Sequence, residues 1–234
     1  MLKIKYKTKF LAIAVLIGGK STRFGSDKGL FEFLGKSLVS YQLETLSQFN
    51  YNIFLVAHSI KQVQDYIKKI DIKKVSAFII DEIDINESKS FHTPMLGLYS
   101  AFKELKKLKY EKVLALSCDA PLIKKDVLIY LIEQCKKFDC CIPQWNNGFL
   151  EPLFAVYPVK KGLKTAKKSI KMKSFKLTNL LSAQWKTNFI SIEKSIQPLD
   201  KKLLSFVNIN VQSDLELIYQ DLLKSQSNNQ LEKK

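Results

Sequence analysis

Cysteine, histidine and arginine are scarce in this chain of 234 residues, and each shortage excludes a class of site. The four cysteines show no Cys-x-x-Cys spacing and are accompanied by only two histidines, so no structural zinc site is predicted. Four cysteines are also too few for a disulfide scaffold at this length, which favours reduced thiols in a cytoplasmic protein. Glycine and proline number only 8 and 6, which excludes collagen-like and low-complexity chains.

Positive charge is abundant, yet almost none of it comes from arginine. The formal net charge is +16, and Arg23 is the single arginine among 38 basic residues. Proteins that read nucleic acids make heavy use of the planar guanidinium group of arginine. We therefore predict a solvated, lysine-rich surface and no nucleic-acid partner. A non-catalytic basic protein that binds polyanions or partner proteins is the alternative from another functional class.

An apolar run of eight residues, Phe10–Ile17, ends in Gly18-Gly19. The run is too short to cross a bilayer. An Ala-x-Ala sequence at Ala12–Ala14 lies inside the run, whereas a signal-peptide cleavage site would follow it. A buried parallel strand that leads into a loop is the better interpretation. The prediction is a cytoplasmic protein that does not enter a membrane.

Strand and helix patterns alternate from residue 10 to residue 142. After the first strand, Phe10–Ile17, the predicted order is helix Ser37–Phe49, strand Asn52–Ala57, helix Lys61–Ile70, strand Val75–Ile80, helix Met95–Leu108, strand Val113–Leu116, helix Lys125–Lys137 and strand Cys140–Ile142. Strands separated by single helices are typical of a parallel sheet with right-handed crossovers. The sequence therefore predicts a Rossmann-like three-layer α/β/α fold with a mostly parallel central sheet.

The alternation changes after Pro143. Further predictions are strands Leu153–Tyr157, Phe189–Ile192 and Phe206–Asn210, and a helix over Ser213–Leu223. Between the first two of these strands, Lys160–Lys176 contains eight lysines and is interpreted as a solvated face, with a funnel for an anionic acceptor or its carrier as the alternative. One domain over residues 1–224 is predicted, with a nucleotide-binding part at about 10–143, an acceptor-binding part at about 144–224 and a frayed tail over 225–234.

Ligands bind beyond the carboxyl ends of parallel strands, so the residues that follow each strand are the first candidates for a site. The loop Leu16–Leu30 follows the first strand, and its glycines let backbone amides approach an anion. Arg23 and Lys28 in this loop add positive charge that can neutralise phosphate oxygens. The alternative is an ordinary strand-to-helix turn with incidental basic residues.

Two carboxylates follow later strands of the predicted sheet. Asp81 ends Val75–Ile80, and Asp119 follows Val113–Leu116 closely. Magnesium prefers one or two carboxylates together with phosphate oxygens and water, which Asp119 can supply. Capping of the helix that follows is the alternative role for this aspartate. Together with the loop, these residues can handle a magnesium-bound nucleoside triphosphate.

The spacing Gly-Gly-x-Ser-x-Arg-x-Gly-x-Asp-Lys over Gly18–Lys28 resembles the signature of nucleotidyltransferases that join a nucleoside monophosphate to a phosphorylated acceptor. Four later segments resemble elements of the molybdenum cofactor guanylyltransferases and occur in the same order: Thr93–Gly97, Ser117–Pro121, Glu151–Ala155 and Phe206–Leu215. Over residues 11–220 the chain is therefore similar to this family of the nucleotidyltransferase superfamily.

The resemblance implies transfer of GMP from GTP to the terminal phosphate of molybdenum-molybdopterin, with Mg²⁺ as cofactor and pyrophosphate as second product. The nucleotide contacts it implies are Leu16, Ile17, Gly18, Gly19, Lys28, Asp81 and Asp119. It assigns catalysis to Lys28, Arg23 and Asp119, the metal to Asp119, and the acceptor to Asn208 and Asn210. Cofactor-synthesis proteins or molybdoenzyme chaperones would be further partners. The alternative is a related nucleotidyltransferase that uses CTP or a sugar-phosphate acceptor.

Overall fold

The computed structural model describes residues 9–18, 27–81, 93–209 and 214. The strands are β1 (Lys9–Leu16), β2 (Glu32–Phe33), β3 (Lys36–Ser37), β4 (Asn52–Ala57), β5 (Ala77–Ile80), β6 (Tyr110–Ser117), β7 (Cys140–Gln144), β8 (Phe154–Pro158) and β9 (Thr187–Ser191). The α-helices are α1 (Leu38–Leu46), α2 (Ile60–Lys69), α3 (Pro94–Lys107), α4 (Lys125–Gln134) and α5 (Val159–Lys171). Within these ranges, no helix has both the length and the apolar composition needed to cross a membrane.

A seven-stranded sheet in the order β5-β4-β1-β6-β8-β7-β9 forms the middle layer. Strand β8 runs antiparallel to both of its neighbours, β6 and β7, and the remaining pairs are parallel. Strands β2 and β3 form a separate two-stranded ribbon. The predicted three-layer α/β/α fold with a mostly parallel sheet is confirmed.

The central strands are apolar along their length because helices cover both faces of the sheet. Residues 11–16 of β1 are at most 5 % exposed, so side chains pointing to either face are buried. One face packs against α1, α2 and α4. The other face packs against α3 and α5. This arrangement leaves the two ends of the strands as the places where a ligand can reach the sheet.

The predicted strand over Phe206–Asn210 is wrong. A single 3₁₀ turn occupies Leu204–Phe206, and Val207–Ile209 continue without joining the sheet. The alternating apolar residues of this segment pack outside the sheet, where Ile209 is buried in a small cluster with Leu38 of α1. The predicted helix over Ser213–Leu223 lies outside the described residues except for Asp214.

The lysine-rich segment contains a helix, α5, that the sequence analysis did not predict. All eight lysines of Lys160–Lys176 are exposed, as the solvated-face interpretation requires. The helix packs closely on α3, because a Cβ atom at Gly162 would lie 2.8 Å from the ring of Phe102. The small residues on one side of α5 therefore allow its close packing on α3, while its lysines remain exposed.

Candidate active site

The carboxyl ends of β1, β4, β5 and β6 lie side by side, and hydrogen bonds hold the first residues beyond them in place. The amide of Gly18 donates to Val56 O at 3.2 Å, and the amide of Asp81 donates to Ala57 O at 2.8 Å. Cys118 N donates to Leu16 O at 3.2 Å. The segments that follow these strands are therefore fixed relative to each other at one edge of the sheet.

Lys28 and Asp119 meet at this edge although they are 91 residues apart in the chain. Lys28 Nζ lies 3.2 Å from Asp119 Oδ2. The side chain of Lys28 is 15 % exposed and that of Asp119 is 25 % exposed, so both are partly shielded but still reachable by a ligand. The structure thus brings together the two described residues to which the sequence assigned catalysis.

Asp27 fixes the turn that carries Lys28. It is the N-cap of a one-turn 3₁₀ helix over Lys28–Leu30, and its Oδ1 accepts a hydrogen bond from Gly29 N at 3.0 Å. The same oxygen accepts the hydroxyl of Tyr66 at 2.7 Å. Tyr66 is fully buried, and a Cβ atom at Gly29 would lie 2.1 Å from its hydroxyl oxygen. The position after Lys28 therefore requires glycine.

Gln62 in the first turn of α2 connects this turn to β1. Its Nε2 donates to Ile17 O at 2.8 Å and also to Asp27 Oδ2. Its Oε1 accepts the amide of His58 at 2.9 Å. Because a buried amide must satisfy its donors and acceptor, this side chain holds three chain segments in one arrangement.

A second buried amide, Gln42 of α1, supports the turn around Asp119. Its Nε2 donates to Ser117 O at 2.8 Å and to Ala120 O at 3.0 Å. The carbonyl oxygen of Asp119 accepts the amide of Ile209 at 2.9 Å. The backbone around Asp119 is thus held from two sides.

Asp119 does not cap the helix that follows it, so the alternative of a helix-capping aspartate is wrong. The N-cap of α4 is Lys124, five positions later, and no side chain caps this helix. The carboxylate of Asp119 is therefore turned to Lys28 and to the open edge of the sheet. Its neighbour Cys118 is buried, and burial together with the nearby charges of Asp119 and Asp27 raises the pKa of its thiol, so Cys118 is unsuited to act as a nucleophile.

Asp81 directly follows the last residue of β5 and lies in a shielded position close to α3. Among the described residues, no donor reaches its Oδ1, and the same holds for Thr93 Oγ1 at the start of α3. A Cβ atom at Gly97 would lie 3.5 Å from Asp81 Oδ1, so glycine leaves room beside the carboxyl group. Burial raises the pKa of Asp81 from 3.8 to about 7. Asp81 can therefore accept hydrogen bonds from a ligand that supplies the missing donors.

We expect the burial of Asp81 to make stability depend on pH. The folded state retains this proton to about pH 7 and the unfolded state loses it near 3.8, so the free energy of unfolding falls as the pH rises through this window. The loss amounts to at most about 4 kcal/mol, at about 1.4 kcal/mol per pKa unit. Thermal unfolding of the wild type and of Asp81→Asn at pH 5 and pH 8 measures it. The variant should lose less stability than the wild type between these values, and equal losses would contradict the assignment.

The reversed direction of β8 brings its first residues to the same edge. Just before β8, Glu151 N donates to Pro143 O at 3.0 Å, and Glu151 Oε1 accepts the indole N–H of Trp145 at 2.7 Å. Burial raises the pKa of Glu151, the hydrogen bond from Trp145 opposes that rise, and the negative charge of Asp119 adds to it. Glu151 therefore lies within electrostatic reach of Asp119.

Comparison with known proteins identifies the family of this chain. Residues 13–182 match the MobA-like NTP transferase domain. The chain belongs to this family. It is therefore a nucleotidyltransferase, as the spacing of the first loop predicted.

Relatives of this MobA-like chain cover it almost end to end. A probable molybdenum cofactor guanylyltransferase from Pyrococcus horikoshii is 32% identical over 89% of this chain and 98% of its own length. A protein of the same name from Aquifex aeolicus is 29% identical over 87% of this chain and 88% of its own length.

Solved structures agree with the family assignment. The molybdopterin-guanine dinucleotide biosynthesis protein A of Archaeoglobus fulgidus superimposes with a TM-score of 0.73 at 25% identity, covering 91% of this chain and 99% of its own. A 4-diphosphocytidyl-2C-methyl-D-erythritol synthase from Anaerococcus prevotii has a TM-score of 0.64 at 15% identity, covering 92% and 96%. The second likeness shows only that the fold is shared.

Divalent metals are typical of nucleotidyltransferases, and Asp119 offers a partly exposed carboxylate at the open edge of the sheet in this MobA-like domain. Within the described ranges, no three His, Cys, Asp or Glu side chains form a cluster suited to a metal ion. A single carboxylate still fits Mg²⁺, which takes its remaining ligands from substrate phosphates and water. The donor set at this edge therefore suits a metal that arrives with a nucleotide.

The remaining predicted nucleotide contacts of this family member lie at the end of β1. The side chains of Leu16 and Ile17 are buried, at 5 % and 3 % exposure. The amides of Ile17 and Gly18 both donate to Val56 O, so contacts from these residues to a nucleotide would use other atoms. Gly19 and Arg23 lie outside the described residues.

Of the two predicted acceptor contacts, the structure describes only Asn208. Asn208 is exposed and lies beyond the last strand, in the segment that follows the 3₁₀ turn. Asn210 lies outside the described residues. Their assignment to the acceptor stays a prediction.

Four residues that position the site were not predicted from the sequence: Asp27, Gln42, Gln62 and Tyr66. Glu151 at the same edge was given no role either. For Gln62 a signal was available, because Ser59 and Gln62 have the Ser-x-x-Gln spacing of a capping box and Ser59 Oγ accepts the amide of Gln62. Asp27 belongs to the quoted signature but was given no role. Gln42 and Tyr66 lie within helices, where no local pattern marks a polar residue as buried.

Proposed function

We propose that this nucleotidyltransferase transfers GMP from GTP to the terminal phosphate of molybdenum-molybdopterin and releases pyrophosphate. The observation that carries the proposal is the contact of Lys28 with Asp119 at the carboxyl edge of the sheet. Relatives that align with most of the chain are named as guanylyltransferases of this cofactor, which supports the same acceptor and base. The proposal gives GTP and molybdenum-molybdopterin as the substrates.

The reaction requires positioning and charge neutralisation more than proton transfer. A terminal phosphate on the acceptor is already anionic at neutral pH, so it needs no strong base to become a nucleophile. Its oxygen forms a bond to the α-phosphorus of GTP while the bond to the bridging oxygen of pyrophosphate breaks. Alignment of these atoms and stabilisation of the departing charge account for most of the acceleration in such transfers.

In this proposal the charged residues divide the tasks among them. Lys28 and Arg23 neutralise phosphate oxygens of GTP and stabilise the departing pyrophosphate. Asp119 would hold Mg²⁺, which would supply additional positive charge for the phosphate groups. The buried network of Asp27 keeps Lys28 in position without touching the substrate.

Asp81 supports GTP over CTP. Guanine offers two adjacent donors, N1–H and the 2-amino group, to one carboxylate, and cytosine offers a single exocyclic amino donor next to an acceptor nitrogen. In its ionised form, which hydrogen bonds from the two guanine donors would stabilise, this partly buried carboxyl group with no described donor on Oδ1 complements guanine better. Leu16, Ile17, Gly18 and Gly19 would line the same nucleotide pocket, and Asn208 and Asn210 would contact the acceptor.

The test compares GTP with CTP at equal concentrations of Mg²⁺. We expect GTP to raise the melting temperature more than CTP and to support pyrophosphate release in the presence of molybdenum-molybdopterin. Preference for CTP would favour a cytidylyltransferase, and turnover with a sugar phosphate would favour another acceptor class. Stabilisation by neither nucleotide would point to the non-catalytic polyanion-binding alternative.

We further propose the cytoplasm as the site of this reaction. The four cysteines, Cys118, Cys135, Cys140 and Cys141, are free and buried. Free thiols of this kind are typical of a reducing compartment. Cofactor-synthesis proteins and molybdoenzyme chaperones would supply the acceptor and receive the product.

We expect the lysines of α5 to contribute little to the reaction with free acceptor. The variant that replaces Lys164, Lys167, Lys168 and Lys171 by Gln should change the acceptor KM less than about twofold at physiological salt, because exposed charges are screened over about 8 Å. Steady-state kinetics at low and moderate salt measure the effect. A large rise in KM that salt does not remove would instead support the funnel for an anionic acceptor.

A further inference from the structure

The edge of the sheet beyond Asp119 carries a second carboxyl group to which no role has yet been assigned. Glu151 precedes β8, the neighbour of β6 on the side away from β1 and the nucleotide loop. Leu153 O accepts the amide of Ser117 at 3.2 Å, which ties the start of β8 to the end of β6. Asp119 therefore lies between the turn that carries Lys28 on one side and the start of β8, with Glu151, on the other.

One carboxylate oxygen of Glu151 already accepts a hydrogen bond, and the other can accept one from a ligand. Oε1 accepts the indole N–H of Trp145 at 2.7 Å. Within the described residues, no donor reaches Oε2. A hydrogen bond to one carboxylate oxygen fixes the direction in which the other oxygen points, so Glu151 is oriented before a ligand arrives.

Aromatic rings support this orientation. The ring of Trp145 packs edge-on against that of Phe206, with 5.7 Å between the ring centroids. The ring centroids of Phe206 and of Phe154 in β8 are 4.9 Å apart. The contact with Phe206 thus holds the indole ring of Trp145 in the position from which its N–H group donates to Glu151. The result is a half-buried carboxyl group with an aromatic neighbour, at the same edge of the sheet as Asp119.

We propose that Glu151 recognises the acceptor, with Oε1 held by Trp145 and Oε2 accepting hydrogen bonds from N–H groups of the acceptor's heterocycle. The inference rests on the proposed function, which makes the acceptor a pterin with a phosphate. A carboxylate repels the phosphate end, so it must face the other end of the acceptor. The 2-amino-4-oxo ring of a pterin presents two adjacent donors, N3–H and the 2-amino group, which match a carboxylate.

Glu151→Gln tests this role because glutamine keeps an oxygen for Trp145 but removes the negative charge. We expect the KM for molybdenum-molybdopterin to rise about tenfold or more, since charge-assisted hydrogen bonds are roughly twice as strong as neutral ones. The kcat at saturating acceptor and the affinity for GTP, measured without acceptor, should change by less than about threefold. An unchanged acceptor KM would overturn the proposal, as would a change confined to the Mg²⁺ dependence.

Direct binding of a probe separates this inference from the proposed reaction. We would measure 6-hydroxymethylpterin and phenyl phosphate by equilibrium dialysis against the wild type and Glu151→Gln. The variant should bind the pterin at least about tenfold more weakly and phenyl phosphate equally well. A wild type that does not bind the pterin, or a variant that binds it equally, overturns the role of Glu151. A wild type that binds the pterin but does not use GTP instead contradicts the proposed function alone.

Glu193 provides the matched control, because its Oε1 accepts the amide of Asn146, the residue next to Trp145, at 2.9 Å. Glu193 lies in the turn Ile192–Ile196 after β9, so Glu193→Gln removes a charge that contacts the loop of Trp145 while leaving the bond between Trp145 and Glu151 in place. We expect its pterin affinity to stay within about threefold of the wild type. An equal loss in both variants would mean that loop position, and not acceptor recognition, explains the effect of Glu151→Gln.

Discussion

Asp119→Asn should lower kcat by about 100- to 1000-fold, the range found when one strong electrostatic contact to a transition state is removed. Asparagine removes the negative charge 3.2 Å from Lys28 Nζ and gives a metal ion only a neutral oxygen. The fold should persist, because the described hydrogen bond of Asp119 to Ile209 uses the backbone carbonyl, which asparagine retains. Pyrophosphate release at saturating GTP, acceptor and Mg²⁺ measures the effect, with thermal unfolding as the check on folding.

Asp126→Asn is the control for this experiment. Asp126 is an exposed acidic residue in the first turn of α4, in the same region of the chain but away from Lys28. Its replacement removes the same charge and should leave kcat unchanged. Near-normal activity of Asp119→Asn at saturating Mg²⁺ would show that Asp119 is not the principal metal ligand.

Gly29→Ala should damage both stability and activity, although it adds a single methyl group. The new Cβ atom would lie 2.1 Å from the hydroxyl oxygen of Tyr66, which is fully buried and cannot move away freely. Overpacking of this kind costs about 1–3 kcal/mol of unfolding free energy. The displaced turn also carries Lys28, so we expect kcat to fall by about tenfold or more, as a loss of about 1.4 kcal/mol in the transition state would produce.

Tyr66→Phe provides the partner variant for this prediction. It removes the hydroxyl group that the new methyl group would strike, and alone it should cost about 1–3 kcal/mol because Asp27 loses a buried hydrogen bond. Urea denaturation of both single variants and the double variant gives the coupling between the two sites. We expect the double variant to be more stable than the sum of the single changes implies. Strict additivity would mean that the contact with Tyr66 is not the reason for glycine at this position.

Much of the fold could be predicted because its central strands are buried on both faces. The bounds predicted for Asn52–Ala57 are the observed ones, since Ile53–Ala57 form a continuous buried apolar segment between polar residues. The two-residue strands β2 and β3 are too short to produce a pattern. The direction of β8 was not predictable either, because a fully buried strand has the same apolar pattern in both directions.

The candidate site likewise contains residues that could be predicted from the sequence and residues that could not. Lys28 and Asp119 were predictable since each follows a strand within a recognisable motif. The residues that hold them were not, because their partners are distant in the chain: Gln42 contacts Ser117 across 75 positions, and Tyr66 contacts Asp27 across 39. A sequence shows which groups carry charge, whereas buried hydrogen bonds of this kind depend on packing between helices that only the fold determines.

The hydrogen bond from the amide of Ile209 to the carbonyl oxygen of Asp119 connects the end of the described segment 93–209 to the edge of the sheet where Asp119 lies. Ile209 is fully buried beside Leu38, so the chain is anchored at this point before it continues. Because this bond joins two backbone groups, a displacement of Ile209 would shift the main chain that carries the Asp119 carboxylate.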